Sequence, residues 1–253
     1  MGATEILIVV IWSFLVSLVG GLVGMVLGNL RLPVLLLVGG SAAAVAGANV
    51  AISGAAALTA AYAHWRGGRL NWRLFAWMAP ASFVGAVAGG LISGALPERV
   101  LLGVISVVIF LGAFEILRWR RPEGGSDTVP SRASLLINAS LIGFAVGLLG
   151  GIVGLILGTL RLPALIRWVG VSPYAAVGTN AAVGVFVGVG GLIGHLPSGV
   201  DWEILLPGAA AAMPAAYLGA RLTGRLSEGD LIKAIAAVLV VSGSAMAIRA
   251  AVG

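Results

Sequence analysis

The sequence contains no cysteine, only two histidines and few charged residues of either sign. Without cysteine there can be no disulfide, thiol nucleophile or thiolate metal ligand. With His64 and His195 as the only imidazoles, we expect no metal site. The glycine-rich stretches lack the lysine and hydroxyl of a nucleotide-binding loop, and no serine has a recognisable histidine and carboxylate partner. We therefore expect neither an enzyme nor a cofactor.

The shortage of charge makes a water-soluble fold implausible. Only 9% of the residues are charged and 60% are hydrophobic, with a mean hydropathy of +1.10, whereas a soluble domain has about 25% charged residues. Long continuous apolar runs favour membrane helices over the alternating strands of a barrel. The runs lie at 5–28, 34–62, 74–94, 99–117, 134–158, 174–194, 203–222 and 231–251. The sequence predicts an all-α, multi-pass protein of the cell membrane, the plasma membrane if the chain is bacterial.

The excess of positive charge has a topological explanation. The formal net charge is +6, and the basic residues lie at the ends of the apolar runs, where they orient the helices. We therefore expect a lipid bilayer, and no nucleic acid, as the partner. The small size of the chain is the basis for expecting a homodimer.

The two halves of the chain are copies. "GGLVGMVLGNLRLP" (20–33) aligns without a gap with "GGIVGLILGTLRLP" (150–163). Further along, Asn49 pairs with Asn180 and His64 with His195. The sequence predicts a first transmembrane repeat at 1–118, a polar linker at 119–132 and a second repeat at 133–253. Duplicated membrane segments interrupted by glycine and proline are typical of secondary transporters, which bind substrate where the interrupted segments meet.

Loop charges favour inverted repeats. The connector 64–73 carries three arginines, whereas its counterpart 195–203 carries none and contains two acidic residues. Equivalent loops of opposite charge bias are expected on opposite sides of the membrane. Inversion requires each glycine-rich segment to be broken or re-entrant, which gives seven or eight membrane segments. Parallel repeats with four full crossings per half are the alternative.

Each glycine-rich segment ends in an arginine followed by a proline, at Arg31–Pro33 and Arg161–Pro163. Since proline suits the first helical position, Pro33 and Pro163 are each expected to start a helix. A helix start inside the membrane presents unpaired N–H groups to an anion. The arginines then either bind a small anion or extend to the lipid headgroups, since an unpaired intramembrane arginine is costly.

Polar residues within the apolar runs complete the candidate site. Asn49, Asn180 and Thr179 could donate hydrogen bonds to anion oxygens, or could instead bond neighbouring helices. His64 and His195 lie at segment ends, where interfacial roles are expected. The predicted substrate-binding residues are Arg31, Arg161, Asn29, Thr159, Asn49, Asn180, Thr179, Gly28, Gly158, Pro33 and Pro163.

The duplicated segment, "AAVGTNAAV" (175–183) and "GHLPSGVDWEILLPGAAAAMPAAYLGARLTGRLS" (194–227) resemble the sulfite exporter TauE/SafE family over nearly the full chain. The resemblance implies transport, usually export, of sulfite, sulfoacetate or related sulfonates. The chain departs from the family pattern where "GMVLG" and "GLILG" replace two glycines of each run. Many members have an aliphatic residue at the arginine positions, so the arginine role rests on the residues alone.

The sequence thus predicts a transporter that works by alternating access, with a small anionic substrate bound between the two repeats. Two other functions stay open at this point. One is an integral-membrane enzyme or assembly factor that presents His64 and nearby arginines to a lipid or a partner. The other is an anion channel.

Overall fold

The computed structural model describes residues 1–92, 98–118 and 133–252, and the predicted polar linker lies outside these ranges. The described residues are helical, with short connections. The helices are α1 (Ala3–Val23), α2 (Gly28–Val38), α3 (Ala42–Arg66), α4 (Trp72–Leu91), α5 (Glu98–Leu117), α6 (Ala133–Val153), α7 (Gly158–Ala164), α8 (Pro173–His195), α9 (Trp202–Thr223) and α10 (Glu228–Val252).

Within the described ranges, seven helices are long and apolar enough to cross a bilayer, and the protein is a multi-pass membrane protein. They are α1, α3, α4, α6, α8, α9 and α10. The short helix α2 and the 105–117 part of α5 are apolar as well. A span of about 20 residues matches the hydrocarbon thickness, so the 11 residues of α2 reach only part of the way across.

Matching side chains start the helices of the two halves. Ser41 and Ser172 accept a hydrogen bond from the N–H three residues on, at the starts of α3 and α8. Asn71 and Asp201 do the same for α4 and α9. Each cap satisfies one of the N–H groups that a helix start leaves unpaired. The repeat therefore extends to capping geometry that hydropathy alone does not reveal.

A π turn, Leu165–Val169, follows α7 and has no counterpart after α2. It accounts for a change in the spacing of the repeat. Matching residues are 130 apart before it, as in Gly24 and Gly154, and 131 apart after it, as in Asn49 and Asn180. A π turn holds one residue more than a regular helical turn. The π turn therefore accommodates the one extra residue of the second repeat before α8 begins.

Helices α3 and α8 cross in antiparallel orientation at the centre of the protein. Near the crossing point, a Cβ added to Gly188 would lie 2.3 Å from the Cα of Gly54. Towards one end Gly47 faces Gly199, and towards the other Ala57 faces Gly184. Glycine permits this backbone contact because it has no side chain. Antiparallel packing of these two helices is the arrangement that inverted repeats require.

The helix ends define two sides of the protein. Thr223 at the end of α9 bonds to the carbonyl of Leu22 at the end of α1, and Arg69 in the α3–α4 loop bonds to Ala220. We call this the cationic side, because its loops and helix ends carry Arg66, Arg69, Arg73, Arg221 and Arg225. On the opposite side, the N–H of Asp201 bonds to the carbonyl of Ala44. Equivalent connectors, 67–71 and 196–201, therefore lie at opposite ends of the bundle.

Candidate functional site

The chain is unwound at two matching breaks, 24–27 and 154–157. Gly24 and Gly154 end α1 and α6 in the left-handed conformation, with φ of 62° and 69°. In each, the following N–H bonds back to the carbonyl five residues earlier, at 2.9 Å for Met25 and 2.8 Å for Leu155. This is the helix-ending geometry that favours glycine. The chain then turns back along α1. This is shown by the Nε1 of Trp12 in α1, which donates to the carbonyl of Leu30 in α2.

The expectation that Pro33 and Pro163 start these helices is wrong. Helices α2 and α7 begin at Gly28 and Gly158, five residues earlier, and the prolines lie inside them. Each proline is the sixth residue of its helix, beyond the first turn where proline is readily tolerated, so it removes the intrahelical donor for the carbonyl four residues before it. In α2 that carbonyl belongs to Asn29.

Two asparagines connect the breaks. Asn49 of α3 donates through its Nδ2 to the carbonyls of Gly28 (3.2 Å) and Gly154 (3.3 Å). Asn180 of α8 donates in the same way to Gly158 (3.3 Å) and Gly24 (2.8 Å). Each side chain therefore joins the helix start of its own repeat to the break glycine of the other repeat.

Arg31 is fully buried in the bundle. Its Nη1 donates to the hydroxyl of Ser53 at 3.0 Å and its Nη2 to that of Ser17 at 2.9 Å. Its Nε has no acceptor. Across the described part of the chain no carboxylate forms an ion pair with it. The side chain does not extend to a lipid headgroup, because none of its surface is exposed.

Arg161 occupies the matching position in the second repeat and is also fully buried. Its Nη1 donates to the Oδ1 of Asn180 at 3.1 Å, while its Nε and Nη2 have no acceptor. The ion pairs among the described residues do not include it either. The serines that hold Arg31 are replaced here by Gly147 and Gly184. Arg161 is thus the less satisfied of the two buried cations.

The other predicted site residues divide into two groups. Asn29 and Thr159 are buried at the starts of α2 and α7, beside Gly28 and Gly158, and the Nδ2 of Asn29 has no acceptor. Thr179 lies towards the cationic side, where its hydroxyl accepts the N–H of Asn71 at 3.0 Å. The structure therefore brings the first group to the breaks and gives Thr179 a bond to the α3–α4 loop.

A small cavity of about 10 Å³ adjoins the first break, which is about the space that one water needs. It is lined by Arg31, Ser17 and the first break itself, together with small residues of α1, α3, α8 and α9 such as Gly21 and Ala57. The cavity is too small for an oxyanion in this conformation. An oxyanion could enter only if the surrounding helices moved apart.

Sequence analysis missed two serines, Ser17 and Ser53, and the contact between His64 and Arg69. Ser17 and Ser53 bear the only side-chain hydroxyls bonded to Arg31 among the described residues, and their burial in apolar runs was the available signal. His64 was expected at the interface, yet it is fully buried. Its Nε2 bonds to the carbonyl of Gly21 at 3.2 Å, and its Nδ1 accepts from the Nε of Arg69 at 3.1 Å. His195 is buried too and bonds to Gly191 of its own helix.

Among the described residues, no group of three or more histidine, aspartate or glutamate side chains is placed to hold a metal ion. The site is instead rich in donors. Arg31 and Arg161 each have guanidinium N–H groups without an acceptor, and the Oδ1 of Asn49, which bonds to both breaks, has no donor. A donor-rich, cationic site suits an anion with several acceptor oxygens.

Comparison with known proteins adds an independent result. The family model "Sulfite exporter TauE/SafE" matches residues 9–246. A protein of Bacillus subtilis (strain 168), named "Probable membrane transporter protein YdhB", is 28% identical over 180 residues, which cover 70% of this chain and 74% of that protein. No solved structure matches the chain significantly.

Proposed function

This chain belongs to the sulfite exporter TauE/SafE family of membrane transporters, and on that premise we propose that it carries small sulfur-containing anions across the membrane. The substrates are sulfite, sulfoacetate or related sulfonates. They bind between the two repeats, at the breaks 24–27 and 154–157, and cross by alternating access. Arg31 and Arg161 supply the positive charge, and Asn29, Thr159, Asn49 and Asn180 supply hydrogen-bonding groups.

The observation that carries this proposal is the burial of two arginines without a counter-ion in the described structure. Leaving one partner of a buried ion pair uncompensated costs about 3–5 kcal/mol. Such a cost is sustained at two matching positions, Arg31 and Arg161. An anionic substrate that enters the site offsets this cost and accepts hydrogen bonds from the unpaired N–H groups.

The small cavity supports an occluded state for this conformation. Its volume of about 10 Å³ leaves no room for sulfite. Opening to either side requires α1 and α2, or α6 and α7, to move relative to the α3–α8 pair. Transporters built from two repeats commonly work through such rocking of one bundle against another.

Charge distribution indicates how the protein is oriented in the membrane. The cationic side carries Arg66, Arg69, Arg73, Arg221 and Arg225 on short loops and helix ends, and such residues are enriched on the cytoplasmic side. Moving a monovalent anion out of a cell that is negative inside releases about 2.3 kcal/mol per 100 mV. Export down the membrane potential therefore needs no enzymatic energy source and no coupling ion.

The experiment is flux of radiolabelled sulfite and sulfoacetate through the full chain in liposomes with an imposed potential. We expect Arg31→Gln and Arg161→Gln each to reduce flux at least tenfold, because one unit of positive charge leaves the site. Arg225→Gln, which removes an exposed charge, is the matched control and should change flux less than twofold. Unchanged flux in both site variants rejects the proposal, and single-channel currents in place of saturable flux assign a channel.

A further inference from the structure

A polar vestibule opens on the cationic side, between the α3–α4 loop and the starts of α8 and α10. Its volume is about 250 Å³, which is room for several waters or one small oxyanion. Arg69, Asn71, Ser172, Tyr174 and Glu228 are among its lining residues. The vestibule is larger and more polar than the cavity at the first break.

Arg69 closes the inner end of this vestibule. Its Nε donates to His64 at 3.1 Å and its Nη2 to the carbonyl of Ala220 at 2.9 Å. Its own carbonyl lies directly against α8, because a Cβ added to Gly178 would meet it at 2.0 Å. Throughout the ranges that the structure describes, no carboxylate forms an ion pair with Arg69. Partial burial lowers its pKa, yet a guanidinium stays protonated near neutral pH.

His64 links Arg69 to the buried cavity. Its Nε2 bonds to the carbonyl of Gly21, and Gly21 lines the cavity that Arg31 also lines. Because Nδ1 accepts from Arg69, the proton of the neutral ring lies on Nε2 and is donated to Gly21. A continuous series of contacts therefore runs from vestibule to Arg69, His64, Gly21 and the cavity.

The second repeat has no such pair. His195 matches His64, but it bonds to Gly191 within its own helix. The connector 196–201, which matches the Arg69 loop, contains no arginine. The His64–Arg69 pair is therefore confined to one side of the membrane. Because the matching position of the second repeat lacks it, the pair is not required by the fold.

We propose that the vestibule is the entry site for the anionic substrate, that Arg69 binds the anion there, and that the His64–Arg69 pair is the plug between vestibule and cavity. This inference rests on the proposed transport function. An oxyanion in the vestibule competes for the N–H groups of Arg69 through charge-assisted bonds, which are stronger than bonds to a neutral imidazole or carbonyl. Binding therefore draws Arg69 away from His64 and opens the way towards Arg31.

The absence of cysteine makes the plug directly testable, because one introduced cysteine is the only thiol. The reporter is Ala57→Cys, on the cavity wall, in the full chain in lipid nanodiscs, labelled with a small sulfonate-bearing methanethiosulfonate. We expect Arg69→Gln and His64→Ala each to speed labelling at least tenfold. His195→Ala, the matched control, should leave the rate unchanged. No acceleration by either plug variant overturns the plug.

A second reporter tests anion binding itself. Ala175→Cys lies on the vestibule wall, and sulfoacetate, which does not react with the thiol reagent, should slow its labelling at least fivefold when Arg69 is present. Arg69→Gln should abolish this protection, whereas His64→Ala and Arg31→Gln should keep it. Protection that is absent from the parent protein, or that survives Arg69→Gln, overturns the entry site.

The two proposals can fail separately. Labelling rates do not require transport, so an intact plug response together with normal flux in Arg31→Gln and Arg161→Gln rejects only the proposed function. Normal flux and normal sulfite KM in Arg69→Gln, together with lost flux in Arg31→Gln, rejects only the entry site. Arg69→Lys keeps the charge without the planar fork, and it should retain part of the sulfoacetate protection if Arg69→Gln fails to fold.

Discussion

Replacing Asn180 with alanine should destabilise the protein more than the same change at the matching Asn49. Both side chains donate to two backbone carbonyls at the breaks. Only Asn180 also accepts a bond from a buried guanidinium, the Nη1 of Arg161. The two substitutions therefore remove the same pair of neutral bonds and differ by one charged bond.

The expected magnitudes follow from this difference. Interhelical hydrogen bonds in membrane proteins average about 0.6 kcal/mol each, so Asn49→Ala should lower the free energy of unfolding by about 1.2 kcal/mol. A hydrogen bond to a charged group contributes about 1.5–3 kcal/mol. Asn180→Ala should therefore lower the free energy of unfolding by about 2.7–4.2 kcal/mol.

The assay is unfolding by titration with sodium dodecyl sulfate in mixed micelles, followed by circular dichroism. A double-mutant cycle isolates the charged bond. In an Arg161→Met background, which removes the guanidinium and keeps an unbranched apolar stem, the effect of Asn180→Ala should fall to about 1.2 kcal/mol. The reasoning is refuted if Asn180→Ala and Asn49→Ala have equal effects, or if Arg161→Met leaves the effect of Asn180→Ala unchanged.

Two further outcomes are expected. Gly188→Ala should lower the free energy of unfolding by about 1–3 kcal/mol, because the added Cβ would lie 2.3 Å from the Cα of Gly54. Gly184→Ala should lower it much less, because its Cβ meets the nearest side-chain atoms at 3.4 Å. Similar unfolding midpoints for both variants contradict the close crossing. Arg66, which ends α3, and Ser198, in the connector 196–201, are both exposed. Single cysteines at these positions should be labelled by an impermeant thiol reagent from opposite faces of oriented vesicles, and labelling from one face excludes inverted repeats.

The class of protein was predictable from the sequence, whereas the glycine and proline motifs indicated only the segments in which an interruption was expected. Low charge and long apolar runs leave lipid as the only solvent for such a surface, and seven described helices meet that requirement. The two glycine-rich segments, each ending in an arginine and a proline, indicated interrupted helices, because segments interrupted at matching positions of two repeats are typical of transporters. The pairing of Asn49 with Asn180 was visible as well.

The helix starts were predicted wrongly for a physical reason. Proline is favourable at the first helical position and costs one intrahelical bond further along the helix, so local preference favoured starts at Pro33 and Pro163. Local preference does not register bonds to residues that are distant in sequence. In the structure Asn49 and Asn180 bond to the carbonyls of Gly28 and Gly158, and these tertiary bonds accompany the earlier starts.

The chemistry around the arginines depended on tertiary structure. Ser17 and Ser53 lie 14 and 22 positions from Arg31, and a sequence pattern does not reveal which distant hydroxyl meets a guanidinium. The same applies to Arg69, which contacts His64 five residues away but also Ala220 across the bundle.

Sequence by itself determined the solvent, the duplication and the chemical identity of the groups at the breaks, because these follow from composition and from order along one chain. Only the tertiary structure decided which of those groups meet. Bonds such as Asn180 to Gly24 join residues 156 positions apart, and they form only when two antiparallel helices, α3 and α8, bring both breaks to the centre of the bundle. Packing geometry, which no local preference encodes, brought the two repeated segments together at the centre of the bundle.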